Sequence, residues 1–462
     1  QVRGATTVQV TAVTKKGRKS APPAPFNTTS MQAAAAAEGI APGRAMRLAE
    51  SLYMDGLISY PRVDNTVYPA SLDLAGTLKA LRKVPAYAPI CDQILAGPLH
   101  ATRGKQETTD HPPIYPTAPA DPEKLEPAAW KLYNLIARRF MATLMGPAVI
   151  EGTKVSLDVA GQPFSAAGDV LKEKGYRAAY PYGLKKDEQL PSLAQGDTVE
   201  VSDLALEAKQ TEPPARYSQG RLIQEMEKRG LGTKSTRASI IDRLFQVKYL
   251  KNNPVEPSQL GMAIIDALDS YAPTITTPSM TSELEQDMNL VAEGSTTEDA
   301  VVDHSRALLA GMMDQLIEHT EDLGEAIADA VTADARVGSC PKCGKDLVIK
   351  NSPKTKSRFI GCMGWPDCDV TYPVPGKNSD KIEPLEGPCP VCGAPRLKIW
   401  PFRSKPYEQC VNPQCPTTRN PTSSWAPARY APKPAATATW WPIRARRPAS
   451  ASSVVPITTS AA

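Results

Sequence analysis

No run of about 18 apolar residues occurs anywhere in the 462 positions, which removes the ordinary membrane-spanning helix from consideration. The opening residues QVRGATTVQV lack both the basic start and the apolar stretch of a signal peptide, so an intracellular, soluble protein is expected. No large charge imbalance exists either: 53 Lys and Arg against 49 Asp and Glu leave a formal +4, an average that points to no particular partner. Acid is missing altogether after residue 415, where Arg419, Arg429, Lys433, Arg444, Arg446 and Arg447 all lie. Such a one-sided end suits a nucleic-acid-facing appendage, and equally a solvated tail. An initiating Met is absent, and the chain opens inside a strand-like alternation (Val8, Val10, Ala12), as part of a longer protein would. What is present, 41% hydrophobic and 22% charged residues, is ordinary globular usage. At about 100 to 200 residues per domain the length implies about two to four domains.

Cysteine is nearly confined to one window, because only Cys91 lies outside 340–415. Cys340 and Cys343 form a C-x2-C pair followed by Cys362 and Cys368; Cys389 and Cys392 form another, followed by Cys410 and Cys415. A glycine follows each first pair (CPKCG, CPVCG) and lets the backbone turn so that amides face the sulfurs. Four thiolates at about 2.3 Å satisfy tetrahedral zinc, and closing two tight loops on one ion stabilises a segment of ~40 residues that burial alone cannot. Disulfides are the alternative, which the absence of a secretion signal disfavours.

Pattern changes mark the remaining boundaries. Residues 1–24 read as a strand entering a β-rich domain, and 25–142 as a helical domain in which Met46, Ala49, Leu52 and Tyr53 recur at helical spacing before Gly56. Residues 143–210 alternate like antiparallel strands, and 211–330 return to helical patterning, with Ser218 as an N-cap and Gly230 as a stop. Zinc ribbons are expected at 336–376 and 385–418. The tail 419–462, rich in Pro, Ala, Thr and Ser, is expected to be disordered, and its abrupt composition would also suit a reading-frame error.

Three segments carry chemistry. In GLISYPRVDN (56–65), Tyr60, Arg62 and Asp64 fall on one face of an extended stretch. A phenol beside a guanidinium can attack a phosphodiester, although a Tyr in such a segment is commonly a packing residue. In GLGTKSTRAS (230–239), Lys234, Ser235 and Thr236 open a helix whose free amides suit a phosphate; plain capping by Ser235 or Thr236 is equally compatible. In the cysteine modules, Phe359, Trp365, Tyr372, Trp400, Phe402 and Tyr407 stand among Lys and Arg, as base-stacking platforms or as the modules' own core.

Four stretches in order resemble the type IA DNA topoisomerases: PFNTTSMQ (25–32), RAMRLAESLYMDGLISYPRVDN (44–65), DHPPIYPT (110–117) and PPARYSQGRLIQEMEKRGLGTKSTRASIIDRL (213–244). The likeness covers about 25–415, cysteine modules included, and the PRVDN and HPPIYPT wording is more similar to archaeal members. It implies a multidomain α+β toroid: a helical active-site domain, a β-rich domain and a helical DNA-binding domain, followed by two four-cysteine zinc ribbons and the tail. By the same resemblance Tyr60 is the nucleophile that forms a 5′-phosphotyrosine bond, Arg62 holds the scissile phosphate and Asp64 orients neighbouring groups. His111 contacts phosphate, its alternative being a turn residue before Pro112 and Pro113. Lys234, Ser235, Thr236 and Arg237 belong to the groove for single-stranded DNA. Val63 stands where the family usually has Thr. The expected cofactors are two structural Zn²⁺ and an Mg²⁺ whose D-x-D cluster lies in a Toprim domain. The D-x-D of this sequence, Asp367 and Asp369, flanks Cys368 instead, so the chain is expected to lack the Toprim domain and to need it in cis or in trans. The expected setting is a monomer on DNA, single-stranded segments preferred, away from membranes in the cytoplasm with the nucleoid. The rival expectation is a non-enzymatic single-strand-binding protein that keeps the scaffold and the ribbons.

Overall fold

Strand β1 (Thr7–Ser20) owes its start to alternation, since Val8 and Val10 are buried while their neighbours are not. A computed structural model of the chain describes residues 2, 4–183, 187–353, 355–377, 380–401 and 404–419. In it β1 pairs antiparallel with β2 (Ala148–Val159), which turns back into β3 (Gln162–Glu173); β4 (Thr198–Glu200) closes the other edge, in the order β3-β2-β1-β4. Ala160 and Gly161 both have positive φ, the requirement of a two-residue hairpin turn, and the Asp158 carboxylate accepts the Gly161 amide at 3.0 Å. Val8, Val10, Val155, Leu157, Val159 and Phe164 form the core of this sheet.

The helical domain is inserted between β1 and β2. It comprises α1 (Thr28–Ala37), α2 (Pro42–Met54), α3 (Leu74–Leu81), α4 (Ala88–Leu95) and α5 (Pro127–Thr143). Asn27 caps α1 in a reciprocal box with Ser30. α5 is apolar nearly all round, and Leu132, Tyr133, Leu135, Ile136, Ala137, Phe140 and Met141 are at most 1% exposed, as a central helix requires. Phe26, Ile58, Val63 and Ile114 join the same core, so the segments of interest are anchored in it. Cys91 belongs there too, its sulfur 3.7 Å from that of Met141; burial raises its thiol to about 11 and keeps it inert.

Beyond the sheet come α6 (Gln219–Lys228), α7 (Arg237–Gln246), the short pair β5 (Leu250–Lys251) and β6 (Glu256–Pro257), α8 (Gln259–Tyr271), α9 (Pro273–Thr276), α10 (Pro278–Ala292), α11 (Glu298–Glu318) and α12 (Thr320–Ala335). α6 lies against α1 at Gly220, where a Cβ would come within 2.9 Å of the Ala33 carbonyl oxygen. The stretch 211–330, expected as one domain, is shared between two compact units. Residues 211–256 and 278–301 belong with the sheet and the α1–α5 helices, whereas 257–277 and 302–330 belong with the cysteine region, because α8 packs on α12. No helix among the described residues is long and apolar enough to cross a membrane.

The cysteine region holds β7 (Arg336–Ser339), β8 (Asp346–Asn351), β9 (Arg358–Cys362) and β10 (Thr371–Pro373) in the order β10-β9-β8-β7. A second sheet follows, β11 (Lys381–Pro384), β12 (Arg396–Trp400) and β13 (Tyr407–Cys410), then α13 (Pro416–Arg419). The second sheet starts at Lys381, ahead of the 385 boundary expected from spacing. Val337, Leu347 and Ile360 share one core with Leu397, Ile399 and Val411, so the two ribbons are fused. Gly338 permits that approach, since a Cβ there would meet the Pro395 ring at 2.8 Å. The tail 420–462 and Phe402 lie outside the described residues.

Candidate functional site

The chain leaves α2 through Gly56, whose φ of +69° reverses its direction. It then runs alongside residues 113–117: the Ser59 amide donates to the Tyr115 carbonyl at 2.9 Å, and the Ser59 hydroxyl donates to Pro113 O and accepts the Tyr115 amide. Burial alternates along this stretch. Ser59, Pro61, Val63 and Asn65 face inward, while Tyr60, Arg62 and Asp64 are half-buried on the opposite face. Thr28 fixes the register, accepting the Val63 amide at 2.8 Å and donating to Pro61 O at 2.8 Å. Val63 is fully buried, so position 63 belongs to the core rather than to the Tyr60 face.

Around Tyr60 the rings of His111 and Tyr53 lie 4.8 Å and 5.4 Å away, centre to centre. Arg62 is held through Nε and Nη2 by one oxygen of Glu50, at 3.0 and 2.5 Å. Asp64 pairs with Lys234 at 3.1 Å, and Lys234 also reaches Asp110 at 3.4 Å. Asn65 donates to the carbonyls of Thr108 and His111, tying the loop that carries His111 to the Tyr60 segment. The Thr108 hydroxyl, 2.5 Å from Asp110, holds that carboxyl down at about 2 against the opposing effect of burial, with help from the His111 amide and Lys234. Burial opposes the Lys234 charge, but Asp64 and then Asp110 outweigh it and raise its pKa.

The turn before α7 departs from the expected arrangement. Neither Ser235 nor Thr236 caps the helix: Thr236 is already in a helical conformation, and its hydroxyl turns back to accept the Thr233 amide at 2.9 Å. Both side chains are exposed. Arg237, expected as a DNA contact, is instead buried. It pairs with Glu227 of α6 at 3.5 Å and donates to Thr29 of α1 and to Leu231 O, each at 3.3 Å, which ties the start of α7 to both helices. Sequence reasoning missed Glu50, Tyr53 and Asp110. Glu50 and Tyr53 are spaced i, i+3 on the helix that leads into the turn, and Asp110 adjoins His111; those spacings were the available signals.

Each cysteine set closes on itself. Sγ atoms lie 3.8 Å apart for Cys340 and Cys368, 3.3 Å for Cys343 and Cys362, 3.8 Å for Cys389 and Cys415, and 3.5 Å for Cys392 and Cys410. A tetrahedron with metal–sulfur bonds of 2.3 Å has edges of about 3.8 Å, so both sets fit zinc. The Gly364 amide donates to Cys362, whose thiol burial pushes up, while the Lys345 amide brings the Cys343 thiol down to about 7, toward the anionic form that zinc needs. Cysteines and aliphatic residues make the core, with Tyr372 packed against it, whereas Trp365, Trp400 and Tyr407 are 71%, 39% and 41% exposed. Lys398 and Lys381 lie 4.8 and 5.9 Å from the Trp400 ring. Magnesium finds no such fit: among the described residues, the cysteine sets are the only groups of three or more His, Cys, Asp or Glu that converge. Asp369 of the D-x-D is tied to Lys342 at 2.7 Å.

A family model described as DNA topoisomerase matches residues 1–303, and one described as topoisomerase DNA binding C4 zinc finger matches 337–377. DNA topoisomerase 1 of Archaeoglobus fulgidus is 42% identical over 370 residues, covering 80% of this chain and 55% of the relative. That of Pyrococcus horikoshii is 35% identical over 421 residues, covering 88% and 60%. The chain thus spans little more than half the length of these curated relatives. Among solved structures, full-length topoisomerase I from Thermotoga maritima superposes with a TM-score of 0.58 at 24% identity, covering 83% of this chain and 62% of that one, a likeness of fold.

Proposed function

The chain belongs to the type IA DNA topoisomerases, and from that premise we propose that it cuts and reseals one DNA strand through Tyr60, relaxing negative supercoils. The observation that carries this reading is the shared outward face of Tyr60, Arg62 and Asp64 with the His111 ring 4.8 Å from Tyr60. Tyr60 Oη gives up its proton and bonds to phosphorus; the bond from phosphorus to the 3′ oxygen breaks, and that oxygen takes up a proton to become a hydroxyl. The ester keeps the phosphodiester energy, so the 3′ hydroxyl reverses the exchange without a nucleotide. Arg62, turned from Glu50 onto the phosphate, offers planar paired donors, and His111 donates to a non-bridging oxygen. One Zn²⁺ held by each four-cysteine set would cross-link that set's loops and supply folding energy. The Mg²⁺ and the acid that would hand the departing oxygen its proton belong, by resemblance, to a Toprim domain. We take the protein to act as a monomer, on single-stranded segments, in the cytoplasm.

The test is a covalent-adduct assay on a labelled single strand with Mg²⁺, with a Toprim domain supplied fused or in trans. The adduct should form with the native chain and vanish in Tyr60→Phe, while strand binding stays nearly unchanged. An adduct that survives Tyr60→Phe identifies another nucleophile and overturns the assignment. Binding with no adduct under any condition supports the non-enzymatic rival.

A further inference from the structure

We propose that Lys234, Asp64 and Asp110 form an ionic clasp beside Tyr60, opened when a DNA phosphate takes the Lys234 ammonium from the two carboxylates. The inference rests on the proposed function, because it needs a single strand at this site. The three residues come from separate stretches: Asp64 from the outward face of the Tyr60 segment, Asp110 from the loop that carries His111, and Lys234 from the turn between α6 and α7. Lys234 Nζ lies 3.1 Å from Asp64 and 3.4 Å from Asp110. An ammonium has three donors and no acceptor, so two carboxylates occupy most of what it can offer a phosphate.

The Asp110 carboxylate and the backbone that carries Asp64 are held without Lys234. Asp110 is gripped by the Thr108 hydroxyl, and Asn65, next to Asp64, donates to Thr108 O at 2.8 Å and to His111 O at 3.0 Å. Lys234 is the adjustable partner, a long flexible side chain on a turn that follows Gly230 and Gly232, both at positive φ. The side chains of Lys234, Asp64 and Asp110 are 28%, 36% and 45% exposed. Exposed pairs of this kind are weak enough for an incoming phosphate to displace. Asp110 thereby becomes a positioning residue: it touches no substrate and acts by holding Lys234 until DNA arrives, in register with the loop that presents His111.

The test is a double-mutant cycle on binding of a fluorescein-labelled single-stranded oligonucleotide at low salt. Asp110→Asn should tighten binding about two- to fivefold, the range that an exposed ion pair spans, and the gain should vanish in a Lys234→Met background. Equal tightening in both backgrounds means that Asp110 acts only through general repulsion, and the clasp is wrong. Amide exchange of 230–236 in the DNA-free chain supplies an independent readout. Exchange should quicken in Asp110→Asn and in Lys234→Met alike, and unchanged exchange in both also overturns the clasp. A chain that binds no single strand overturns the proposed function together with the clasp; a chain that binds without coupling overturns the clasp alone.

Discussion

Removing Glu227 should damage the fold rather than DNA binding, and the size of the effect follows from the surroundings of Arg237. The Arg237 side chain is 11% exposed, and its one carboxylate partner among the described residues is Glu227 at 3.5 Å, itself 28% exposed and receiving the Thr29 hydroxyl at 2.8 Å. Breaking a fully buried pair by deleting one partner costs about 3 to 5 kcal/mol, because a desolvated charge is left behind. Water reaches Glu227, and Arg237 keeps Leu231 O and the Thr29 hydroxyl, so we expect about 2 kcal/mol for Glu227→Ala, below the range for a fully buried pair. At roughly 2 to 4 °C per kcal/mol for a unit of this size, thermal unfolding followed by circular dichroism should shift down by about 4 to 8 °C. Pairing Glu227→Leu with Arg237→Met should recover most of the loss, since two apolar side chains leave no orphaned charge. A Glu227→Ala protein that melts normally, or an Arg237→Met protein that melts normally yet binds single strands far more weakly, would refute the structural role and restore Arg237 as a DNA contact.

Metal analysis should find about two Zn²⁺ per chain, and Cys362→Ser should remove one ion while the other is retained. Because the ribbons share Leu347, Ile360, Leu397 and Ile399 in one core, the retained ion should leave faster in a chelator challenge than it does in the native chain; an unchanged rate would mean that the ribbons are energetically separate. Asp110 is held at about 2, below the ordinary carboxylate value of 3.8, first by the Thr108 hydroxyl. A depressed folded value contributes stability above pH 3.8 that is lost as pH falls toward 2. Thr108→Ala should move the Asp110 midpoint upward in a carboxylate NMR titration, and a midpoint that stays near 2 would assign the depression to Lys234 and the backbone instead.

What could be read from the residues was what depends on local spacing. Period-two alternation put Tyr60, Arg62 and Asp64 on one side of an extended segment, and burial in the structure follows it residue by residue from Ser59 to Asn65. Cysteine spacing, too, identified both sets that converge. The partners were not legible. Glu50 for Arg62, Asp110 for Lys234 and Glu227 for Arg237 depend on how α1, α2, α6 and the 108–111 loop come together, and sequence separation carries no information about that. Arg237 shows the consequence: a basic residue at the start of a helix near Lys234 reads as a phosphate ligand until the fold reveals which side of α7 it occupies. The fusion of the ribbons escaped for the same reason, since Gly338 and Pro395 acquire meaning only when the two sheets meet.

The pairing of Arg62 with Glu50 and of Lys234 with Asp64 and Asp110 bears on how such a site must work. Under the proposed function a cut strand has to be held firmly and then let go, so cations bare in the free state would favour binding at the expense of release. With a carboxylate waiting for each of these cations, phosphate binding becomes an exchange of one anion for another, and the net gain is the small difference between two ion pairs in water-accessible surroundings. Under the proposed function, a phosphate that draws Arg62 from Glu50 would free a carboxylate on α2 one turn from Tyr53, whose ring lies 5.4 Å from that of Tyr60. Under the proposed function we therefore expect Glu50→Gln to alter strand binding and adduct formation together, and a variant that changes one alone would show that Glu50 does not link them.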